Sequence, residues 1–292
     1  MPRCNGHPRQ VSALALAAAV AVAVAVTGCS GGNGSGSEPP AENSETTQST
    51  VGVETGPVQY TVEVVAAHPH DTAMFTQGLE FVDGLLVESG GGRGRSSLRI
   101  YDPADGTVLR SVDVDDTLFA EGVTVVGDRI WQLTWQSGKA LVYDVETLEP
   151  VTEVGFGGEG WGLCLLDDRL VMSNGSDRLT FRRPSDFEAI GSVTVTLDGS
   201  GPISQLNELE CATDDQRETV WANVWRSTTI YGIDPGSGRV TAVVDASSLV
   251  PPGYESDRER VLNGIAIHPD TGRLWLTGKE WPVLYEVELV AP

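Results

Sequence analysis

Short apolar strands broken by turn residues, an element that recurs five times, and one strand left without a place predict an all-β fold. The expected architecture is a five-bladed β-propeller, closed by the N-terminal strand pairing with the last blade. The strands come first. Val- and Thr-rich runs such as residues 192–197 favour extended chain. Between the runs stand Asp83-Gly84, Asp105-Gly106, Gly127-Asp128, Asp167-Asp168, Pro235-Gly236 and Asp270-Thr271-Gly272, which suit tight turns. No long stretch carries a helical period. Many short strands at even spacing leave a sandwich, a barrel or a propeller.

The repeat chooses among these. A polar or aromatic residue, usually then Gly, then an apolar residue, appears as Gln77-Gly78-Leu79, Glu121-Gly122-Val123, Trp161-Gly162-Leu163, Glu208-Leu209-Glu210 and Asn263-Gly264-Ile265. Middle residues are separated by 44, 40, 47 and 55 positions, which are blade-like periods. The fourth copy has Leu209 where the others have Gly. A second strand follows each element, at 85–87, 130–133, 170–172, 220–224 and 274–276. A third follows at 98–101, 140–143, 178–181, 229–233 and 283–287. Four repeats continue into a fourth strand, as at 108–114; the fifth reaches Pro292 without one. Residues 58–66 form a strand with no place in any repeat, and they fit the gap.

Equivalent positions of a propeller meet around its axis, so two rings of residues are expected at one mouth. The position before the repeated Gly carries Gln77, Glu121, Trp161, Glu208 and Asn263; the end of the second strand carries Gly90, Trp135, Asn174, Trp225 and Lys279. Polar groups inside an aromatic wall make a binding pocket. The alternative is that the tryptophans pack the blades and the charges face solvent.

The rest of the chain has other tasks. Arg3 and Arg9 precede residues 11–26, a run of Ala, Val and Leu broken only by Ser12. It is short for a membrane span, and residues 1–28 fit a signal peptide. Val26-Thr27-Gly28-Cys29 resembles a bacterial lipobox, so Cys29 is the expected lipidation site; an ordinary cleaved signal with an incidental Cys is the alternative. Residues 29–56 are rich in Gly, Ser, Glu, Thr and Pro and read as a flexible tether. The folded domain is 57–292, exported and lipid-anchored to the outer face of a bacterial membrane, or secreted. A net charge of −22 disfavours nucleic acid. Cys164 and Cys211 fall at matching positions of adjacent repeats and form either one disulfide or two buried thiols. His68-Pro69-His70-Asp71 looks like a metal fragment but lacks partner ligands, and no metal or other cofactor is expected. A monomer is expected.

Eight segments in register resemble one family, the plant-type glutaminyl cyclotransferases, which also occur in bacteria. They are Phe75-Thr76-Gln77-Gly78-Leu79, Phe119-Ala120-Glu121-Gly122, Leu133-Thr134-Trp135, Glu159-Gly160-Trp161-Gly162-Leu163, Asn207-Glu208-Leu209-Glu210, Val220-Trp221-Ala222-Asn223-Val224-Trp225, Leu262-Asn263-Gly264-Ile265-Ala266 and Thr277-Gly278-Lys279. The likeness spans roughly 58–290. It implies a five-bladed propeller that converts the N-terminal Gln of peptides or proteins to pyroglutamate, with release of ammonia and no catalytic metal. It also implies roles. Glu121 matches the proton carrier, Asn207 and Lys279 match groups that polarise the amide oxygen, and Gln77 helps hold the substrate. Phe75, Phe119, Trp135, Trp161 and Trp225 match the aromatic wall. The loops at 90–95 and 250–261 depart from the family, and the second stands where it could alter access. A non-catalytic propeller binding a peptide or sugar is the competing reading. A calcium-dependent lactonase-type propeller needs several carboxylates at one ion, and the mix of Glu121, Glu208, Lys279 and aromatics disfavours it.

Overall fold

A computed structural model describes residues 56–213 and 217–292. The expected signal peptide (1–28), Cys29 and nearly all of the tether (29–56) lie outside the described residues. The domain is all-β, with one short 3-10 turn at Ser247–Leu249. Strand β1 (Val58–Pro69) comes first. Then β2 (Thr76–Val82), β3 (Leu85–Gly90), β4 (Ser97–Tyr101) and β5 (Val108–Asp113) form an antiparallel four-stranded sheet in chain order. A second such sheet holds β6 (Ala120–Val126), β7 (Arg129–Thr134), β8 (Lys139–Asp144) and β9 (Pro150–Gly155). The third holds β10 (Leu163–Leu166), β11 (Arg169–Met172), β12 (Arg178–Arg182) and β13 (Ala189–Thr194). A small hairpin, β14 (Thr196–Leu197) and β15 (Gly201–Pro202), follows. The run 192–197 is therefore not one strand: β13 ends at Thr194, Val195 belongs to no strand and β14 begins at Thr196.

The remaining strands are β16 (Leu206–Thr213), β17 (Glu218–Val224), β18 (Thr229–Ile233), β19 (Val240–Asp245), β20 (Leu262–Ile267), β21 (Leu274–Gly278) and β22 (Val283–Val290). They join β1 in one eight-stranded sheet, in the order β16-β17-β18-β19-β1-β22-β21-β20. The N-terminal strand pairs antiparallel with β22, from Thr61 opposite Val290 to Pro69 opposite Val283. It also runs parallel to β19 over Val58–Thr61, a pairing the sequence did not suggest. The first strands close a ring: β2 touches β6, β6 touches β10, β10 touches β16, β16 touches β20 and β20 touches β2.

The core sits between neighbouring sheets. Val87, Leu98 and Ile100 pack on Val123, Ile130 and Tyr143, and Trp131, Leu133 and Val142 pack on Leu163, Leu170 and Phe187. Leu166, Val171 and Leu179 meet Leu206, Val220 and Ile233. With neighbours on both faces, the first three strands of each sheet are buried or half-buried over most of their length. The outermost strands β5, β9 and β13 are mostly exposed, as their mixed sequences require.

A buried ionic network ties the segment after β1 into this ring. Both ring nitrogens of His70 face acceptors, the Trp281 carbonyl at 2.7 Å and Glu88 Oε1 at 3.0 Å, so the side chain is an imidazolium. Arg99 donates to the other Glu88 oxygen at 2.9 and 2.6 Å and to Asp71 at 2.9 Å. Burial opposes both charges, but the pairing wins: His70 titrates above its ordinary value, and Glu88 is held down to about 2. His68 stacks on Trp275 with centroids 4.4 Å apart. The His68–Asp71 fragment is thus part of the closure.

Cys164 of β10 and Cys211 of β16 form a disulfide between adjacent sheets, with Cα atoms 5.4 Å apart and a sequence separation of 47. A loop of that size supplies about 2–4 kcal/mol by restricting the unfolded chain. Urea unfolding of the double variant Cys164→Ser/Cys211→Ser should show a loss of that order; an unchanged midpoint would remove the disulfide from the account of stability.

Candidate active site

The recurring Gly answers a packing constraint. A Cβ on Gly78 would lie 2.5 Å from the Val123 nitrogen, one on Gly122 would lie 2.6 Å from the Leu163 nitrogen, and one on Gly162 would lie 2.1 Å from the Asn207 oxygen. First strands meet backbone to backbone at these points, and only Gly fits. At the same place β2, β6, β16 and β20 each carry a bulge, between Thr76 and Gly78, Ala120 and Val123, Leu206 and Leu209, and Leu262 and Ile265. A bulge adds a residue and re-aims its side chain. Gln77, Glu121, Asn207 and Asn263 are the residues so placed.

This register corrects the fourth repeat. Leu209 aligns with Val123 and Ile265, so the element is Asn207-Glu208-Leu209 and Glu208 occupies the Gly position. Its carboxylate is buried and accepts the backbone N–H of Ile265 at 2.9 Å and of Leu79 at 3.3 Å, which accounts for a large side chain where Gly stands elsewhere. The second ring also shifts. In register, the positions equivalent to Trp135 are Gly91, Gly175, Trp225 and Lys279, in place of Gly90 and Asn174. Two of them are glycines for a steric reason: a Cβ on Gly91 would reach the Phe119 ring at 2.3 Å, and one on Gly175 the Trp161 ring at 2.6 Å.

Nine residues singled out from the sequence line one cavity of about 200 Å³: Phe75, Gln77, Phe119, Glu121, Trp135, Trp161, Asn207, Trp225 and Lys279. That volume suits one small polar group. Phe75 meets Phe119 edge-on at 6.2 Å, Phe119 meets Trp135 at 5.7 Å, and Trp161 meets Trp225 at 5.8 Å between centroids. Glu208, Asn263 and Asn174 do not line it. Asn263 lies beneath, donating to the Thr76 carbonyl at 2.9 Å and to Gln77 Oε1 at 3.2 Å, which fixes the Gln77 amide. Asn174 instead accepts from Ser176.

Glu121 and Lys279 are only 5% and 4% exposed. Burial drives the Glu121 carboxyl well above its ordinary range; Lys279 opposes this and the charge of Glu159 adds to it. Burial brings Lys279 down to about 8, against the pull of Glu121 and Glu259. Its ammonium lies over the Phe75 ring, 4.7 Å from the centroid. The backbone carbonyl of Glu121 accepts a short hydrogen bond from Ser89 Oγ, which Gln132 supports at 2.8 Å. A carboxyl and an ammonium brought towards a common pH range in a dry pocket suit proton transfer. Among the described residues, no group of three or more His, Cys, Asp or Glu side chains is arranged to hold a metal ion.

Two site residues escaped the sequence assignment. Glu159 belongs to the Glu159-Gly160-Trp161 segment, whose signal was read for its aromatic alone; it accepts the indole N–H groups of Trp135 and Trp161. Glu259 lines the cavity from the loop at 250–261 and pairs at 2.7 Å with Arg226, whose guanidinium lies 4.1 Å from the Trp225 ring centroid. No local pattern marks it, because its place depends on loop hydrogen bonds such as Arg226 Nε to the Arg258 carbonyl at 3.2 Å and Lys279 N to the Val261 carbonyl at 2.9 Å.

Comparison with known proteins gives the family. The sequence model of the glutamine cyclotransferase family matches residues 39–289. Glutaminyl-peptide cyclotransferase of Arabidopsis thaliana is 36% identical over 232 residues, 78% of this chain and 71% of that protein. The crystal structure of Myxococcus xanthus glutaminyl cyclase superposes with a TM-score of 0.74 at 38% identity, covering 81% of this chain and 99% of that one. The match runs through the strands that carry the pocket, and the chain belongs to the glutamine cyclotransferase family.

Proposed function

We propose that this chain is a glutaminyl-peptide cyclotransferase acting on peptides or proteins with an N-terminal Gln, by a metal-independent acid–base mechanism. One observation carries the reading: a buried carboxyl, a buried ammonium and two amides line a single small aromatic-walled pocket. The Gln side chain enters, and the dry walls favour its neutral α-amine and restrict its rotamers for ring closure. The amine nitrogen attacks the side-chain amide carbon. Glu121 accepts the proton the amine sheds and passes it to the departing nitrogen; the N–C bond of the lactam forms, the old C–N bond breaks and ammonia leaves. Lys279 and Asn207 stabilise the oxyanion between these steps. Gln77, with its oxygen engaged by Asn263, presents its NH2 to the substrate. Phe75, Phe119, Trp135, Trp161 and Trp225 form the wall.

The wider setting belongs to the same proposal. The domain (57–292) is a five-bladed propeller, with the eight-stranded sheet taken as two blades joined through β1. The ring of touching first strands and the five inter-sheet cores support this. An experimental structure with another number of sheets about the axis would refute it. The chain is exported through the signal at 1–28, anchored by lipid on Cys29 and tethered by 29–56; a disulfide suits that oxidising compartment. A monomer is proposed, to be checked by light scattering.

Three experiments bear on these statements. Glu121→Gln keeps size but cannot take the proton, so kcat for ammonia release from a Gln-leading peptide should fall by about 10²–10⁴-fold with KM changed far less. Trp225→Ala should instead raise KM. Near wild-type turnover by Glu121→Gln sinks the mechanism, and wild-type turnover lost to a chelator and restored by zinc sinks its metal independence.

The pH profile reports Lys279. An ammonium that titrates at about 8 loses its proton well before an ordinary lysine, so kcat should decline as pH rises through about 8. Lys279→Arg should carry that decline to higher pH in whatever activity remains. A wild-type kcat that stays level from pH 7 to pH 10 (roughly the span set by the ordinary and lowered lysine values) contradicts the role given to Lys279.

For the anchor, Cys29→Ser should block lipid processing and shift the protein from membrane to soluble fractions or leave it as precursor. Unchanged membrane attachment and processing argue against the lipoprotein reading.

A further inference from the structure

Two walls of the pocket hang from one carboxylate. Glu159 lies between β9 and β10, just outside the aromatic face. Its Oε2 accepts the indole N–H of Trp135 at 2.8 Å and of Trp161 at 3.0 Å, and its Oε1 accepts Gln136 Nε2 at 3.1 Å. The two tryptophans come from different sheets, since Trp135 follows β7 and Trp161 precedes β10. Each indole also packs on a ring, Trp135 on Phe119 and Trp161 on Trp225, and the shared acceptor adds a directional bond that fixes its rotation. A charged acceptor makes stronger hydrogen bonds than a neutral one, so the pair is held more firmly than van der Waals contact alone would hold it.

All three donors to Glu159 are neutral. Burial works against its charge, but the bonds from Trp161, Gln136 and Trp135 outweigh it and keep the carboxyl below its ordinary range. Among the described residues no cation pairs with Glu159, and its charge is felt at Glu121. The charged groups that act on Glu121 are Lys279, from beyond β21, and Glu159, and they act in opposite directions.

Resting on the cyclotransferase reading, we propose that Glu159 is a positioning residue, whose single carboxylate locks the indoles of Trp135 and Trp161 into a rigid pair of walls around the substrate Gln. The same anion adds to burial in raising the Glu121 carboxyl, against the pull of Lys279. The arrangement explains why an acidic residue is placed beside a pocket that already holds a buried carboxyl, where like charge is otherwise unfavourable.

The test uses Glu159→Gln and Glu159→Asp in the whole protein, assayed with a Gln-leading dipeptide amide for ammonia release across pH. In Glu159→Gln the walls loosen and the charge is lost. Its kcat/KM should fall roughly 10-fold, mostly through KM, and the acid limb of kcat/KM should move to lower pH. The substrate amine contributes equally to both enzymes, so the difference between the profiles reports Glu121. Glu159→Asp keeps the charge with a shorter reach, so its KM should rise while its acid limb stays near that of wild type. The near-UV circular dichroism of the tryptophans should change in both variants. An unmoved acid limb in Glu159→Gln overturns the proposal whatever happens to its melting temperature, because a merely structural residue would leave the limb in place. Wild-type KM in both variants overturns it too. If the wild type releases no ammonia, the cyclotransferase reading fails, and the circular dichroism still decides the clamp: a spectrum unchanged in Glu159→Gln refutes it.

Discussion

The structure depends on how closely its first strands approach one another. Where Gly78 meets Val123, Gly122 meets Leu163 and Gly162 meets Asn207 and Leu209, a single added carbon would overlap backbone atoms of the next strand. Packed interiors yield little to such overlaps. The glycines therefore set the radius of the ring, and the bulges beside them supply the side chains that face its mouth. Construction and chemistry share one short segment of each strand, which is why a structural repeat also marks the site.

The pocket holds opposite charges where neither is comfortable. Glu121 and Lys279 are both buried, and burial pushes their titrations towards each other while their mutual attraction resists. A fully solvated pair would titrate several pH units apart. The aromatic walls maintain the dry setting, and they are themselves fixed by polar groups. Glu159 binds two indoles, Asn263 binds Gln77, and Arg226 covers Trp225 while paired to Glu259. Surface pairs of the last kind contribute little to stability; here the pair shapes the rim.

Closure of the ring and placement of Lys279 are linked. The chain leaving β1 delivers His70 to Glu88 of β3 and to the carbonyl of Trp281, two residues beyond Lys279. The Trp281 ring is fully buried against Gly278, and its indole donates to the Arg260 carbonyl at 2.9 Å. Glu280 N donates to the Met74 carbonyl at 2.7 Å. The turn carrying the buried ammonium is thus gripped from both ends of the domain. Removing one member of such a buried ionic set leaves uncompensated charge in the core, which is costly.

Much of this was legible in the sequence. Strand period, turn residues and the spacing of Gly78, Gly122, Gly162 and Gly264 are local properties, and so was the orphan strand that pairs with β22. Six of the nine pocket residues, Gln77, Glu121, Trp135, Trp161, Trp225 and Lys279, could be named because they stand beside the repeated Gly or just past the second strands, where backbone register sets position; Phe75, Phe119 and Asn207 were named only through the family resemblance. Other features had no local signature. Glu208 in the Gly position, which displaced the fourth repeat by one residue, is explained only by the two backbone N–H groups that meet its carboxylate from other strands. Gly91 and Gly175 are glycines because rings from elsewhere in the chain cross above them. Glu259 reaches the pocket through loop hydrogen bonds that no periodicity encodes, and the parallel pairing of β1 with β19 appears once the ring has closed. Periodicity determines which residues can face the axis; only the assembled sheets decide which distant groups they meet, because those contacts join strands far apart in the chain.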